Sequence, residues 1–396
     1  MVQALEGLNG IKDIVYADES RTYRLAYDSR KISLEKIFQA IVEAGKERGM
    51  DYQTKLVDTV EEDGVTESKP FFLEDVIISG FKSFSEPTEM GFQPGIGVII
   101  GNNGVGKSNI LDAIVWALGE DDLARLRCYE RDELFFSGSK KYPPASRIRV
   151  ELTFRKGTER KDPVIRLVRE MEKEDQSIYW VQDRPLPRAF YDRELVNLKL
   201  PHALKSMIRQ EQINDMILLN PWQRFQWVKD LLSADGIQDL TRRIRRDIDP
   251  LFRQYLDFLF PEGQGALKII NQDGRQGLEI EVTLPGNRKR RAHQLSGGEK
   301  SVTSLALKLA IFEQLESPFY LLDEVEPSLD YTNHKSMQAL LKTLAKKKQL
   351  VMITHLRSTI QLADTVHGVR TRYDGSSFMK FYFVMDERLL RLYKCC

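Results

Sequence analysis

The chain has 396 residues, long enough for two or three domains with cores of their own. Hydrophobic residues make up 42% and charged residues 30%, ordinary for a globular protein. No apolar run reaches the roughly 18 residues that a membrane helix needs, and the start MVQALEGLNG lacks a basic stretch before an apolar one. Membrane insertion and secretion are therefore not expected. The 59 basic and 58 acidic side chains leave a net charge of +1, so any contact with nucleic acid must use a local basic surface. The cysteines, Cys128, Cys395 and Cys396, form no CxxC or Cys/His cluster; a zinc site is not indicated, and a reducing, cytoplasmic location fits.

Residues 1 to about 69 read as a small α+β module and linker. A helix-like start leads into two strand-like runs, IKDIVYAD and RTYRLAYD. A helix is then predicted from Ser33 to about Lys46, with Ser33 as its cap, Glu35 in its first turn and Ile37, Ile41 and Val42 on one stripe. The stretch ISLEKIFQAIVEAG resembles a heavy-metal-associated, ferredoxin-like domain, but the paired metal cysteines of that family are absent. Docking of a protein partner, or a merely decorative role, is the expectation for this module, not metal carriage. The acidic TVEEDGVTESKP reads as a linker.

From Phe71 the pattern turns β-rich. GVIIG runs straight into Gly101-Asn102-Asn103-Gly104-Val105-Gly106-Lys107-Ser108, which satisfies G-x-x-x-x-G-K-[ST]. Glycines there let successive backbone N–H groups curl around a phosphate, and the following helix adds its positive N-terminal end. Lys107 is placed to reach the β- and γ-phosphates and Ser108 to ligate Mg²⁺. A helical stretch covers Asn220 to about Phe260, with Asn220 as N-cap and Pro221 at the first helical position. Leu295-Ser296-Gly297-Gly298-Glu299 then opens a long helix whose bare N-terminus is a second anion site. Because the chain already carries a complete phosphate loop, that second site is best explained as acting on a nucleotide held by another copy. FYLLDE reads as a buried parallel strand delivering Asp323 to the magnesium shell and Glu324 to the attacking water.

Phosphate loop, LSGGE, LLDE-x-x-x-x-LD and a strand ending in ITH, in that order, resemble the ABC ATPases. The detail is closest to the structural-maintenance-of-chromosomes (SMC) and RecF-type branch: FKSF-x₁₄-IIGNNGVGKSNILDAIVWALGE, LRCYERDELFFSGS, IRQEQINDMILLNPWQR and QLSGGEKSVTSLALKLAIFEQLESPFYLLDEVEPSLD all look like SMC head segments. The resemblance implies an α/β, ABC-type P-loop NTPase head with a β-rich lobe and a helical lobe, built from an N-terminal half (70–219) and a C-terminal half (261–396). Two such heads would close on two ATP molecules with Mg²⁺. It places Arg127 as the arginine-loop residue, Gln210 as the magnesium and water sensor, Asp330 in the D-loop and Thr354-His355 in the switch, and it adds Asn109 to the nucleotide contacts. The catalytic set it implies is Glu324, Gln210 and His355. Partners would be a second copy or a related head, and duplex DNA bound without regard to sequence on a nucleoid.

One departure is large. SMC proteins separate the two halves by hundreds of heptad-repeat residues, whereas here Asn214 and Leu251 are only 37 positions apart with no sustained heptad seam. Residues 220–260 therefore read as a short helical insertion in place of an arm, and with no Gly/Ser splice a naturally armless head is the expectation. Candidate DNA contacts are Arg242, Arg243, Arg245 and Arg246, a turn at 288–291, and Lys346 to Lys348. A nucleotide-gated protein switch without DNA is the competing reading. A transporter ATPase is disfavoured by the KSVTSLAL continuation after LSGGE.

Overall fold

The computed structural model describes residues 11–17, 22–27, 31–32, 36–37, 40, 71–159, 161–200, 205, 207–209, 212–234, 236–260, 263–272, 274–284, 288–315, 317–325 and 331–384. The chain divides into two compact units, Met1–Ser68 and Lys69–Cys396. In the first, strands β1 (Ile11–Ala17) and β2 (Thr22–Tyr27) pair antiparallel, with Tyr16 opposite Tyr23. Residues 36, 37 and 40 are helical, and Ile32 and Ile37 are buried. The expected cap Ser33, with Glu35, Ile41, Val42 and the helix-like start, lies outside the described residues.

In the second unit β3 (Phe71–Ser79) and β4 (Thr88–Gly91) precede β5 (Ile96–Ile100), which leads through the glycine-rich loop into α1 (Lys107–Ala117). Then come β6 (Arg147–Lys156), β7 (Val164–Glu172), β8 (Ile178–Val181), β9 (Arg184–Leu186) and β10 (Met207–Arg209). Helices α2 (Pro221–Leu232), α3 (Ile237–Arg243) and α4 (Asp249–Leu259) follow, with one π-helical turn at Ile244–Ile248 between the last two. The chain continues through β11 (Gln264–Gln272), β12 (Arg275–Leu284), β13 (Arg288–Arg291), α5 (Gly297–Glu313), β14 (Phe319–Asp323), α6 (Tyr331–Ala345), β15 (Gln349–Ile353), β16 (Thr365–Thr371) and β17 (Ser377–Val384).

Two six-stranded sheets dominate. One has the order β10-β14-β15-β5-β16-β17, parallel except at β17; the other, β4-β3-β6-β7-β8-β9, is antiparallel. The parallel strands FYLLD and QLVMI are buried at every position, as covered faces on both sides require. Helix α1 lies between the sheets, its Ile110, Leu111, Ala113, Ile114 and Trp116 packed in the same core as Val76, Leu152 and Phe319. Each large aliphatic side chain so buried contributes about 1.5–3 kcal/mol. That core holds the phosphate loop at the carboxyl end of β5.

The 220–260 stretch folds inward. Asn220 caps α2: its Oδ1 accepts from Gln223 N at 2.9 Å while Gln223 Oε1 accepts from Asn220 N at 3.2 Å. Phe225, Val228, Leu240, Ile244, Ile248, Phe252, Leu256 and Leu259 share one core with Leu305, Leu309 and Phe312 of α5. That core takes up most of the apolar side chains of the stretch. Arg224, buried beside it, donates to the carbonyls of Met216, Leu219 and Leu278, tying α2 to the sheet β11-β12-β13. The expected turn at 288–291 is instead strand β13, with Lys289 opposite Thr283, because β12 offers a free edge for it to pair with. Among the described residues no helix is long and apolar enough to cross a membrane.

His367 on β16 is fully buried, with Nε2 2.7 Å from the Gly91 carbonyl, and burial pushes its pKa down to about 4. A histidine kept neutral in the fold takes up a proton more readily once unfolded. Its contribution is thus full above the ordinary value near 6.5 and is lost as pH falls towards 4, about 3 kcal/mol in all. NMR titration should find the His367 ring neutral at pH 5; a midpoint near 6.5 would contradict this.

Candidate nucleotide-binding site

The phosphate loop has the backbone its sequence demands. Gly104 takes φ +77° with open space on its Cβ side, and Gly106 takes φ +94° as the residue capping α1. A side chain at Gly106 would sit 2.4 Å from Ser83 Oγ and 2.5 Å from Ser377 Oγ, so glycine is required there. Those serines brace the loop: Ser377 Oγ donates to the Val105 carbonyl at 2.7 Å, and Asn109 Nδ2 donates to Ser83 Oγ at 2.9 Å. Asn102, Asn103 and Gly104 are exposed, while Gly101 is wedged against the Val369 carbonyl, 2.5 Å from where a Cβ would stand. The result is an open cradle on a rigid base.

Lys107 is buried, its Nζ donating to the Asn102 carbonyl at 3.0 Å and lying 3.7 Å from Glu324 Oε1. Burial lowers its pKa, against the opposing pull of Glu324 and Asp323. Ser108 Oγ donates to Asp323 Oδ1 at 3.2 Å. Burial raises the Asp323 carboxyl above the usual carboxylate range, opposed by the Ser108 hydrogen bond and by Arg127 and Arg209. Glu324 sits just past β14 with φ +49°, a left-handed conformation that costs a side chain about 1 kcal/mol, and its N–H is held by the Ile353 carbonyl at 3.0 Å. His355, past the end of β15, meets it: Nε2 lies 2.9 Å from Glu324 Oε1. Thr354 is fully buried, and its Oγ1 accepts from Leu356 N at 3.0 Å, fixing the turn that carries His355. Lysine, hydroxyl, two carboxylates and imidazole thus converge on one end of the parallel sheet.

These residues fit a magnesium nucleotide. Gly104 leaves room where a phosphate would lie, and the Ser108–Asp323 pair is the hard-oxygen donor set that magnesium takes while keeping water and phosphate in its other positions. Among the described residues no three His, Cys, Asp or Glu side chains gather into a metal cage. Gln210 and Asp330 lie outside the described residues.

Ser296, Gly297 and Gly298 are exposed at the start of α5, and nothing stands within 4 Å of the Cβ direction at Gly297. Glu299 Oε2 accepts from Ser296 N at 2.7 Å, a cap that leaves the outward face of the helix start clear. Among the described residues no hydrogen bond or ion pair joins this turn to the phosphate loop of the same chain.

Arg127 does not point at the cradle. Its Nη2 and Nε donate to Asp112 Oδ2 at 2.7 and 3.2 Å, and Nη2 reaches Asn109 Oδ1 at 3.4 Å. Lys82 and Arg209 also bind Asp112. Sequence reasoning missed all three, although a lysine in FKSF, an aspartate in the second turn of α1 and an arginine ending the apolar β10 are each charges that burial must pair. Of the basic clusters, Arg242 and Arg243 pair with Asp239 and Arg246 pairs with Asp247. Lys347 bonds Glu313, and Arg290 lies 3.5 Å from Glu299.

Residues 72–377 match the RecF/RecN/SMC N terminal domain. The chromosome partition protein Smc of Mycobacterium tuberculosis is 37% identical over 156 residues, which cover 37% of this chain and 13% of that protein. That of Halobacteriovorax marinus is 31% identical over 182 residues, 44% of this chain and 15% of its own. The matched stretches thus cover only 13–15% of these relatives' length. Among solved structures, an SMC head bound to the C-winged helix domain of ScpA is 30% identical with a TM-score of 0.72, covering 80% of this chain and 99% of the other. The SMC head domain from Thermotoga maritima is 30% identical with a TM-score of 0.58, covering 79% and 99%. With the phosphate loop, the acidic pair and the capped glycine turn set in this architecture, the chain belongs to the RecF/RecN/SMC N-terminal domain family.

Proposed function

We propose that this chain is an ATP-hydrolysing head that dimerises on ATP and separates on hydrolysis, in the service of chromosome organisation, segregation or repair. The observation carrying this reading is the split of the chemistry. One end of the parallel sheet gathers Lys107, Ser108, Asp323, Glu324 and His355, while the turn at Ser296–Gly298 stands exposed, joined to that cluster by no hydrogen bond or ion pair among the described residues. In the closed pair, Ser296, Gly297 and Gly298 of one copy face the γ-phosphate held by Lys107 of the other. Glu324 accepts a proton from the attacking water; His355, already on Glu324, orients it; Gln210 and Asp330 complete the water and dimer contacts. Ser108, Asp323 and Gln210 would hold magnesium, which would supply neutralisation of the phosphate charge. ATP binds the dimer better than the separated heads, so binding drives closure and hydrolysis reverses it.

DNA contact is supported by the likeness to chromosome partition proteins and by the exposed Arg242, Arg245 and Arg246. The interaction is with phosphates and independent of sequence, and a nucleoid-associated, cytoplasmic location goes with it. If about four phosphates are neutralised, affinity should fall about 100-fold between 50 and 200 mM salt. Fluorescence anisotropy with a duplex in the presence of ATP reads this directly; no binding at 50 mM salt would leave the protein-switch reading. One observation favours that second reading: the ion pairs to Asp239 and Asp247 already spend much of the arginine cluster's charge. A protein partner fits either case, through the N-terminal module or as in the ScpA complex of the similar head.

A further inference from the structure

Asp112, on the second turn of α1, has no exposed surface and carries three cations. Lys82 Nζ lies 2.6 Å from its Oδ2 and also donates to the Leu126 carbonyl. Arg127 Nη2 lies 2.7 Å from the same oxygen. Arg209 Nη2 donates to Oδ1 at 2.7 Å and to the Arg125 carbonyl at 2.9 Å. The burial of the three differs: the side chains of Lys82 and Arg209 are 10% and 8% exposed, that of Arg127 34%. Arg127 also has φ +56°. Arg209 is in register with Asp323 on the neighbouring strand, and both arginines act on the Asp323 carboxyl. Its Nη1 is buried with no hydrogen-bond partner among the described residues.

A buried carboxylate held by a single cation cannot release it without leaving an uncompensated charge. Asp112 can release one, because two cations would remain. The one with the most access to solvent, on the left-handed backbone, is Arg127. We propose that Arg209 is a positioning residue that frees Arg127 for the nucleotide: by keeping Asp112 neutralised, it lets the Arg127 guanidinium leave the carboxylate and swing to a phosphate. This rests on the reading of Arg127 as a phosphate ligand. Without Arg209, Asp112 holds Arg127 more tightly and the nucleotide must compete for it.

The test is a double-mutant cycle on the full chain, reading Mg-ATP affinity by equilibrium binding. Arg209→Met should weaken ATP about 5- to 20-fold, in the range of coupled neighbouring charges. Arg209→Lys should restore most of the affinity. In an Arg127→Ala background, the same Arg209→Met change should have less than about a twofold effect, since the residue to be freed is gone. Equal weakening in both backgrounds would mean that Arg209 acts only through its general field, and no weakening in either would remove it from the site; both overturn the proposal. Should Arg127→Ala itself leave ATP affinity unchanged, the phosphate-ligand reading fails and the proposal falls with it, an outcome visible before Arg209 is touched. If Arg209→Met does not fold, Arg209→Gln carries the same expectation, because it too removes the charge.

Discussion

Glu324→Gln is expected to turn the chain into a stable dimer whenever ATP and magnesium are present, and to lower turnover about 10²- to 10⁴-fold, the usual contribution of a general base. Glutamine keeps the shape of the side chain and the 2.9 Å approach of His355, but it cannot take the proton from water. Binding and closure therefore survive while the step that reopens the pair does not. Replacing the carboxylate also removes the anion 3.7 Å from Lys107, leaving that cation wholly available to the γ-phosphate, so affinity for ATP should rise rather than fall. Light scattering after gel filtration reads the result: a doubled mass with ATP and a single mass with ADP. A variant that stays monomeric at saturating ATP would reject closure of two heads on nucleotide, whatever its residual rate.

Lys107→Ala is expected to do the opposite. In the proposed site the buried ammonium would bond two phosphates, and hydrogen bonds to a charged group are worth about 1.5–3 kcal/mol each. Its removal should weaken ATP at least about 100-fold and abolish ATP-driven dimers. The fold should hold, because Lys107 contributes a hydrogen bond to the Asn102 carbonyl and a partner for Glu324 while α1 is anchored by Ile110, Leu111, Ile114 and Trp116. Isothermal titration with Mg-ATP alongside thermal unfolding separates the two effects. Retained affinity would place the nucleotide elsewhere.

What could be read from the sequence follows a physical division. The phosphate loop, the caps at Asn220 and Ser296 and the buried strands FYLLD and LVMI are local: their residues fix backbone angles, first-turn hydrogen bonds or two-sided burial within a few positions. The pairing of Glu324 with His355 could be inferred only through the family likeness, since the two are brought together by adjacent parallel strands. The charges of the Asp112 cluster were legible singly, but their pairing was not. Its members are 30, 15 and 97 positions from Asp112, and nothing in their spacing announces that one carboxylate serves three cations. The basic run at 288–291 was misjudged because four consecutive cations look like a turn, whereas the edge of β12 makes a strand of them. Asn220 to Phe260 was read correctly as helical, and its inward packing follows from the apolar side chains that its helices bury against α5.

The claim beneath all of this is that each working site is assembled from two copies, the phosphate loop of one and the Ser296 turn of the other. Its most direct test is the ATPase rate per subunit measured across a range of protein concentrations at saturating Mg-ATP. A composite site predicts that the specific rate climbs with concentration and levels off once the pair is formed, and that Ser296→Arg holds it at the dilute value throughout. A specific rate that stays at its maximum down to concentrations where only single subunits are present would contradict it.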